Sequence, residues 1–265
     1  MAAADNLCAM ARGVLRQADP GAKVAAGAAV AKAWRVGTIV HIGACRPPSR
    51  PARPARPELR RPGDMPRRST SGRRGRTALL HAIAHIELNA VDLAWDLIAR
   101  FASPDLPRAF YDDWIGVAAD EGRHFTLLTA RLAELQAAYG DLPAHDGLWQ
   151  AAEETAGDLT ARLAVVPMLL EARGLDVAPA MANKLRRAGD LQSASLLNLI
   201  YEEEIGHVAT GRRWFEWSCQ RLGVSPIAHW RNLVDRHCKG ALKPPFNHAA
   251  RSLAGMATNY YQPDA

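Results

Sequence analysis

Apolar residues recur at helical spacing along most of this chain, and four stretches of that pattern are long. Leu80, Ile83, Ala84, Ala90, Val91, Ala94 and Ile98 predict helix A over residues 77–101, ended by Ser103-Pro104-Asp105. Trp114, Val117, Ala118, Phe125, Leu128 and Leu132 predict helix B over 107–138, with a break at 139–147. Leu159, Leu163, Ala164 and Met168 predict helix C over 148–173. Pro167 inside it removes a backbone hydrogen bond and predicts a kink, and Gly174 predicts an end or a second bend. A shorter helix over 178–187 precedes helix D, predicted over 190–222 by Leu197, Ile200, Val208, Gly211 and Phe215. No run of about 18 apolar residues occurs, so no membrane span is expected.

Each long stripe is interrupted by side chains that do not belong in an apolar core. Helix A carries Glu87, helix B Glu121 and His124, helix C Glu171, and helix D Glu204 and His207. Residues i and i+3 share a helix face, so each Glu-x-x-His pair points one way. A carboxylate buried without a partner costs several kcal/mol. Six such groups on four core faces need a common compensation, and two divalent cations supply it. A lone Glu-x-x-His arises often by chance. The order Glu, Glu-x-x-His, Glu, Glu-x-x-His on four long helices is the ligand set of a di-metal carboxylate bundle. Oxygen and imidazole ligands suit two iron ions, with manganese as the alternative, and the absence of a thiolate set argues against structural zinc. The expected fold is all-α: a four-helix bundle over 77–222, an N-terminal extension over 1–76 and a tail over 223–265.

Neighbouring polar residues extend this reading. A ligating imidazole usually donates its other N–H to a carboxylate, which gives Asp120 to His207 and Glu203 to His124. The plain alternative for both is a helix-surface acid. Tyr201, one turn before Glu204, is the catalytic candidate as a hydrogen-bond or electron donor, against a simple core-packing role. Arg173 is placed to pair with an outer carboxylate. Trp114, Phe125, Tyr201 and Phe215 would shield the site. His81 and His85 point away from the Glu87 stripe, and satisfied polar packing is the favoured reading for them.

Charge changes the picture at the N-terminus. Net charge is +6, but the first 76 residues hold 16 of the 33 basic and only 4 of the 27 acidic side chains. The remainder is mildly acidic, as a carboxylate-rich metal domain would be. Residues 5–36 read as weak helix with a break at Asp19-Pro20-Gly21. Residues 46–76 are rich in proline and arginine and cannot bury much apolar area. They read either as a basic arm for nucleic acid or an acidic partner, or as a linker packed along the bundle. No aromatic residue interleaves the arginines, which argues against a stacking platform, and the linker reading is favoured. Cys8, Cys45, Cys219 and Cys238 lack paired spacing; reduced thiols in a cytoplasmic protein are the simplest account.

The strings HAIAHIELNAVDLAWD (81–96), DWIGVAADEGRHF (113–125), YGDLPAHDGLW (139–149), LEARGLD (170–176) and EEEIGHVATGRRWF (202–215) resemble the DUF455 family of ferritin-like proteins. The resemblance covers about 46–222. It implies a ferritin-like bundle with a di-iron site on Glu87, Glu121, His124, Glu171, Glu204 and His207. One departure is Gly122, expected to loosen helix B slightly. LEAR followed by Glu-x-x-His is more distantly similar to tRNA-modifying di-iron hydroxylases. The expected function is an O₂-activating oxygenase or oxidase acting on an organic substrate, a small molecule or RNA, with an external electron donor. The alternatives are iron handling or peroxide scavenging, and a non-catalytic metal-binding interaction protein.

Overall fold

Asp19 and Pro20 divide the N-terminal helical stretch in two. In the computed structural model, which describes residues 6–65, 72–238 and 240–262, α1 (Leu7–Leu15) ends before them and α2 (Pro20–Arg35) begins with them. Asp19 caps α2 by accepting from the Ala22 N–H at 2.8 Å; Pro20 takes the first helical position, where a missing N–H costs nothing. The described residues are predominantly helical, so the chain is all-α. It forms two compact units, residues 1–149 and 150–265.

The first unit is built on α3 (Gly72–Arg100) and α4 (Arg108–Glu134). They pack along their length, joined by a short connection that makes them antiparallel. α1 packs on α3 and α2 on α4, so the residues read as an extension form part of this unit. Gly122 explains itself here. A Cβ on it would lie 3.2 Å from Val24 Cγ1, so the glycine admits α2 against α4, which stays helical through it.

Residues 46–58 of the proline- and arginine-rich segment are non-helical. They lead into β1 (Leu59–Arg60), which pairs in parallel with β2 (Ala144–His145). Residues 66–71 of the expected arm lie outside the described residues, and 72–76 belong to α3. Two arginines dock the segment on the unit. Arg50 pairs with Asp146, and Arg53 donates to Asn89 Oδ1 at 2.5 Å and lies 3.8 Å from Asp92.

The cysteine expectation needs correction. Cys8 and Cys45 form a disulfide that ties α1 to the strand of chain after α2; Cys219 and Cys238 are free thiols. The pair is 37 residues apart, a separation that carries no sequence signal.

Helix C also differs from expectation. The structure has α5 (Gly147–Glu154), across which the unit boundary falls, then a break at 155–158. Arg162, fully buried, closes that break by donating to Thr155 Oγ1 at 2.9 Å and Ala152 O at 2.6 Å. Asp158 then caps α6 (Leu159–Val165). A π-helical turn (Val166–Glu171) contains Pro167 and passes directly into α7 (Ala172–Arg187). The helix therefore runs through Gly174 instead of ending there, and absorbs the expected separate helix over 178–187. The proline perturbation is real but takes the form of a widened turn.

α8 (Leu191–Leu222) packs on α7, α6 and the π turn. Asp190 caps its start and Gly223, at φ 68°, ends it in the left-handed conformation that glycine adopts without strain. α9 (Pro226–His237), α10 (His248–Leu253) and α11 (Thr258–Tyr261) complete the second unit. No helix among the described residues is long and apolar enough to cross a membrane.

Candidate metal centre

In the first unit, the antiparallel pair α3 and α4 brings Glu87, Glu121 and His124 together. Each offers a ligand atom, and these lie within 4.8 Å of one another. All three side chains are buried. His124 Nδ1 is 3.0 Å from Glu87 Oε2 and 3.7 Å from Glu121 Oε2. Burial by itself pulls the His124 imidazolium down, but hydrogen bonds to Glu121 and Glu87, with their charges, reverse this and raise its pKa to about 11. The cluster is thus a site that collects positive charge, and a metal would replace that proton.

In the second unit α8 carries the other Glu-x-x-His motif. His207 Nδ1 lies 3.2 Å from Glu204 Oε1. His207 is buried and Glu204 nearly so. Glu171 ends the π turn, half-buried. In both Glu-x-x-His motifs the same ring nitrogen, Nδ1, faces the carboxylate. Neighbouring ligands of a divalent cation with bonds of about 2.1 Å lie about 3.0 Å apart, a spacing met by His124 with Glu87 at 3.0 Å and by His207 with Glu204 at 3.2 Å. The donor chemistry, hard oxygens plus imidazole, fits iron or manganese.

The remaining sequence candidates sit as follows. Asp120 is near the surface of α4 and pairs with Arg123 at 3.3 Å. Glu203 is half-buried on α8. Arg173 lies 3.4 Å from Asp176 and donates to the carbonyls of Lys243 and Pro245 at 2.8 and 3.0 Å. The Tyr201 hydroxyl accepts from Asn247 Nδ2 at 3.0 Å, which commits it to the C-terminal segment. Trp114, Phe125 and Phe215 are buried.

The opposite side of α3 carries a polar network that the sequence reading left unused. Lys23 Nζ meets Asp92 Oδ1 at 2.5 Å and Ala52 O at 2.9 Å, with both charged side chains buried. Arg53 and Asn89 continue it, and Asn89 donates to His85 O at 2.6 Å. His85 lies between the Tyr139 hydroxyl, 2.8 Å from Nδ1, and the His145 carbonyl, 3.1 Å from Nε2. A carbonyl only accepts, so Nε2 bears the hydrogen and Tyr139 donates to Nδ1. Burial and the nearby Arg53 charge lower the His85 pKa to about 3. His81 accepts from the Gly140 N–H at 2.9 Å. The signal was present in the spacing: His81, His85, Asn89, Asp92 and Asp96 form a second polar stripe, which marks a helix buried on more than one side.

The family model described as "Protein of unknown function (DUF455)" matches residues 16–262. The chain belongs to the DUF455 family. A relative from Haemophilus influenzae (strain ATCC 51907 / DSM 11121 / KW20 / Rd), described as an uncharacterized protein, is 39% identical over 205 residues. That match covers 76% of this chain and 71% of the relative. No solved structure matches the chain significantly.

Proposed function

We propose that this DUF455 member is a ferritin-like di-metal oxidoreductase that binds two iron ions on Glu87, Glu121, His124, Glu171, Glu204 and His207, and activates O₂ for oxidation of an organic substrate. The observation that carries this reading is the buried cluster on α3 and α4, where His124 Nδ1 lies 3.0 Å from Glu87 and 3.7 Å from Glu121, with a second Glu-x-x-His motif on α8 whose His207 Nδ1 lies 3.2 Å from Glu204. When bound, the two iron ions would supply electrons for O₂ reduction. The chain itself supplies the charge-collecting carboxylates, holds the His124 ring between Glu87 and Glu121, and buries Glu121 and His124 away from water. An external electron donor completes the cycle.

The test is elemental analysis of protein expressed with iron supplementation, followed by mixing of the ferrous protein with O₂. Two metal ions per chain and oxidation much faster than free ferrous ion are expected. A single zinc, or no retained metal, overturns the ligand assignment. Two irons without accelerated oxidation would leave a binding protein in place of an enzyme.

A further inference from the structure

In the second unit a small pocket of about 60 Å³ lies beside the π turn and the segment 241–246. Leu169, Leu170 and Phe246 supply apolar walls, and Arg173, Lys243 and Arg251 supply three cations. One acid, Asp176, also lines it. Arg251 is 1% exposed. Its Nε and Nη2 donate to Asp176 Oδ1 and Oδ2 at 2.9 and 2.7 Å, and its face lies 4.6 Å from the Tyr261 ring centre. Its Nη1 has no hydrogen-bond partner among the described residues. A buried donor left unmade is costly, about 1–3 kcal/mol and more for a charged group, and such a group in a native fold calls for a bound water or ion.

The charge balance decides between them. Asp176 is shared between Arg251 and, at 3.4 Å, Arg173, and its Oδ1 also accepts the Asn247 N–H at 2.9 Å. It cannot balance three cations as well. A negatively charged acceptor therefore completes the site better than water, since charge-assisted bonds to arginine are roughly twice as strong as neutral ones. The volume equals about two waters' share of the liquid, which suits a planar carboxylate. The geometry points to a pocket that binds the carboxylate of a small organic acid on Arg251 Nη1 and Arg173, with the acid's apolar part against Leu169, Leu170 and Phe246. Arg173, whose side chain is 38% exposed, marks the mouth. Leu169 and Leu170 immediately precede Glu171. Taken with the di-metal reading, on which this step rests, the acid is the substrate class.

The probe is sodium acetate on the full chain after metal removal with a chelator, read by saturation transfer to the acetate methyl group at constant ionic strength. Metal content is measured separately, so failure of the pocket and failure of the metal centre give different results. Saturable acetate binding is expected, resisted by excess chloride and weakened at least tenfold in Arg173→Gln and in Arg251→Lys. Arg251 is buried against Asp176, so if Arg251→Lys fails to fold, the half-exposed Arg173 variant carries the test. Absence of saturation, affinity unchanged in Arg173→Gln, or displacement of acetate by inorganic phosphate at lower concentration than acetate itself would overturn the carboxylate pocket.

Discussion

His124 and His85 sit on opposite sides of α3 and are held in opposite charge states. Against the pull of burial, hydrogen bonds to Glu121 and Glu87 raise the His124 pKa, whereas burial and the nearby Arg53 charge lower that of His85. The His85 pKa is lowered from 6.5 to about 3, so its contribution to stability is complete above 6.5 and is lost as pH falls toward 3. Each pH unit in that window costs about 1.4 kcal/mol. Urea unfolding should therefore show a loss of roughly 2 kcal/mol between pH 7.5 and pH 5 that is absent in His85→Gln. Equal pH dependence in the two proteins would show that His85 is protonated without penalty. At the ligands, Glu121→Ala and His207→Ala should each lower bound metal below two ions per chain while leaving far-ultraviolet circular dichroism unchanged, because the helices rest on the apolar stripes that flank these residues. Full metal content in both variants would remove them from the ligand set.

Long amphipathic helices were legible because their stripes run for many turns: α3, α4 and α8 begin and end within a few residues of expectation, and their Glu and His residues were legible as interruptions of those stripes. The C region was not. Thr155 and Arg162 close the break between α5 and α6 through bonds that no periodic pattern announces, and Pro167 is accommodated where a sequence reading sees only disruption. The partner that accommodates it is Gly211 of α8. A Cβ on Gly211 would overlap the Pro167 ring, so this glycine lets the π turn lie close against α8. Gly211→Ala should push the two elements apart at the turn that carries Glu171. The expected cost is about 1–3 kcal/mol, as for other overpacked cores, together with reduced iron content per chain. Because alanine has the better helix propensity, a stabilised protein with full metal content would show that the turn shifts freely and does not position Glu171. Gly174→Ala, where no atom lies within 4 Å of the added methyl, is the control and should be neutral or slightly stabilising.

Across the whole chain, charge is segregated, and the basic N-terminal segment was open to two readings. The structure uses part of it as packing: Arg50 and Arg53 reach Asp146, Asn89 and Asp92, and Lys23 meets Asp92 from α2. This could not be read from composition, because the acids that receive the arginines are scattered over α3 and the turn after β2. The cytoplasmic expectation loses its cysteine support as well, since Cys8 and Cys45 are joined. Any nucleic-acid contact proposed for this region must therefore come from arginines other than these two. The side chains of Arg46 and Arg56 are exposed. Replacing both with glutamine should change stability by no more than about 0.5 kcal/mol, as for other surface substitutions. Arg53→Ala removes one of the two cations beside a buried carboxylate, and should cost roughly 1–3 kcal/mol. Deleting 46–58 removes Arg53, the Ala52 carbonyl that accepts from Lys23, and the tether to Asp146, and should cost more than Arg53→Ala alone. Urea midpoints of the four proteins measured side by side settle the order. If the deletion were as stable as the parent, the segment would be a passive linker, and its arginines would again be available to an acidic partner.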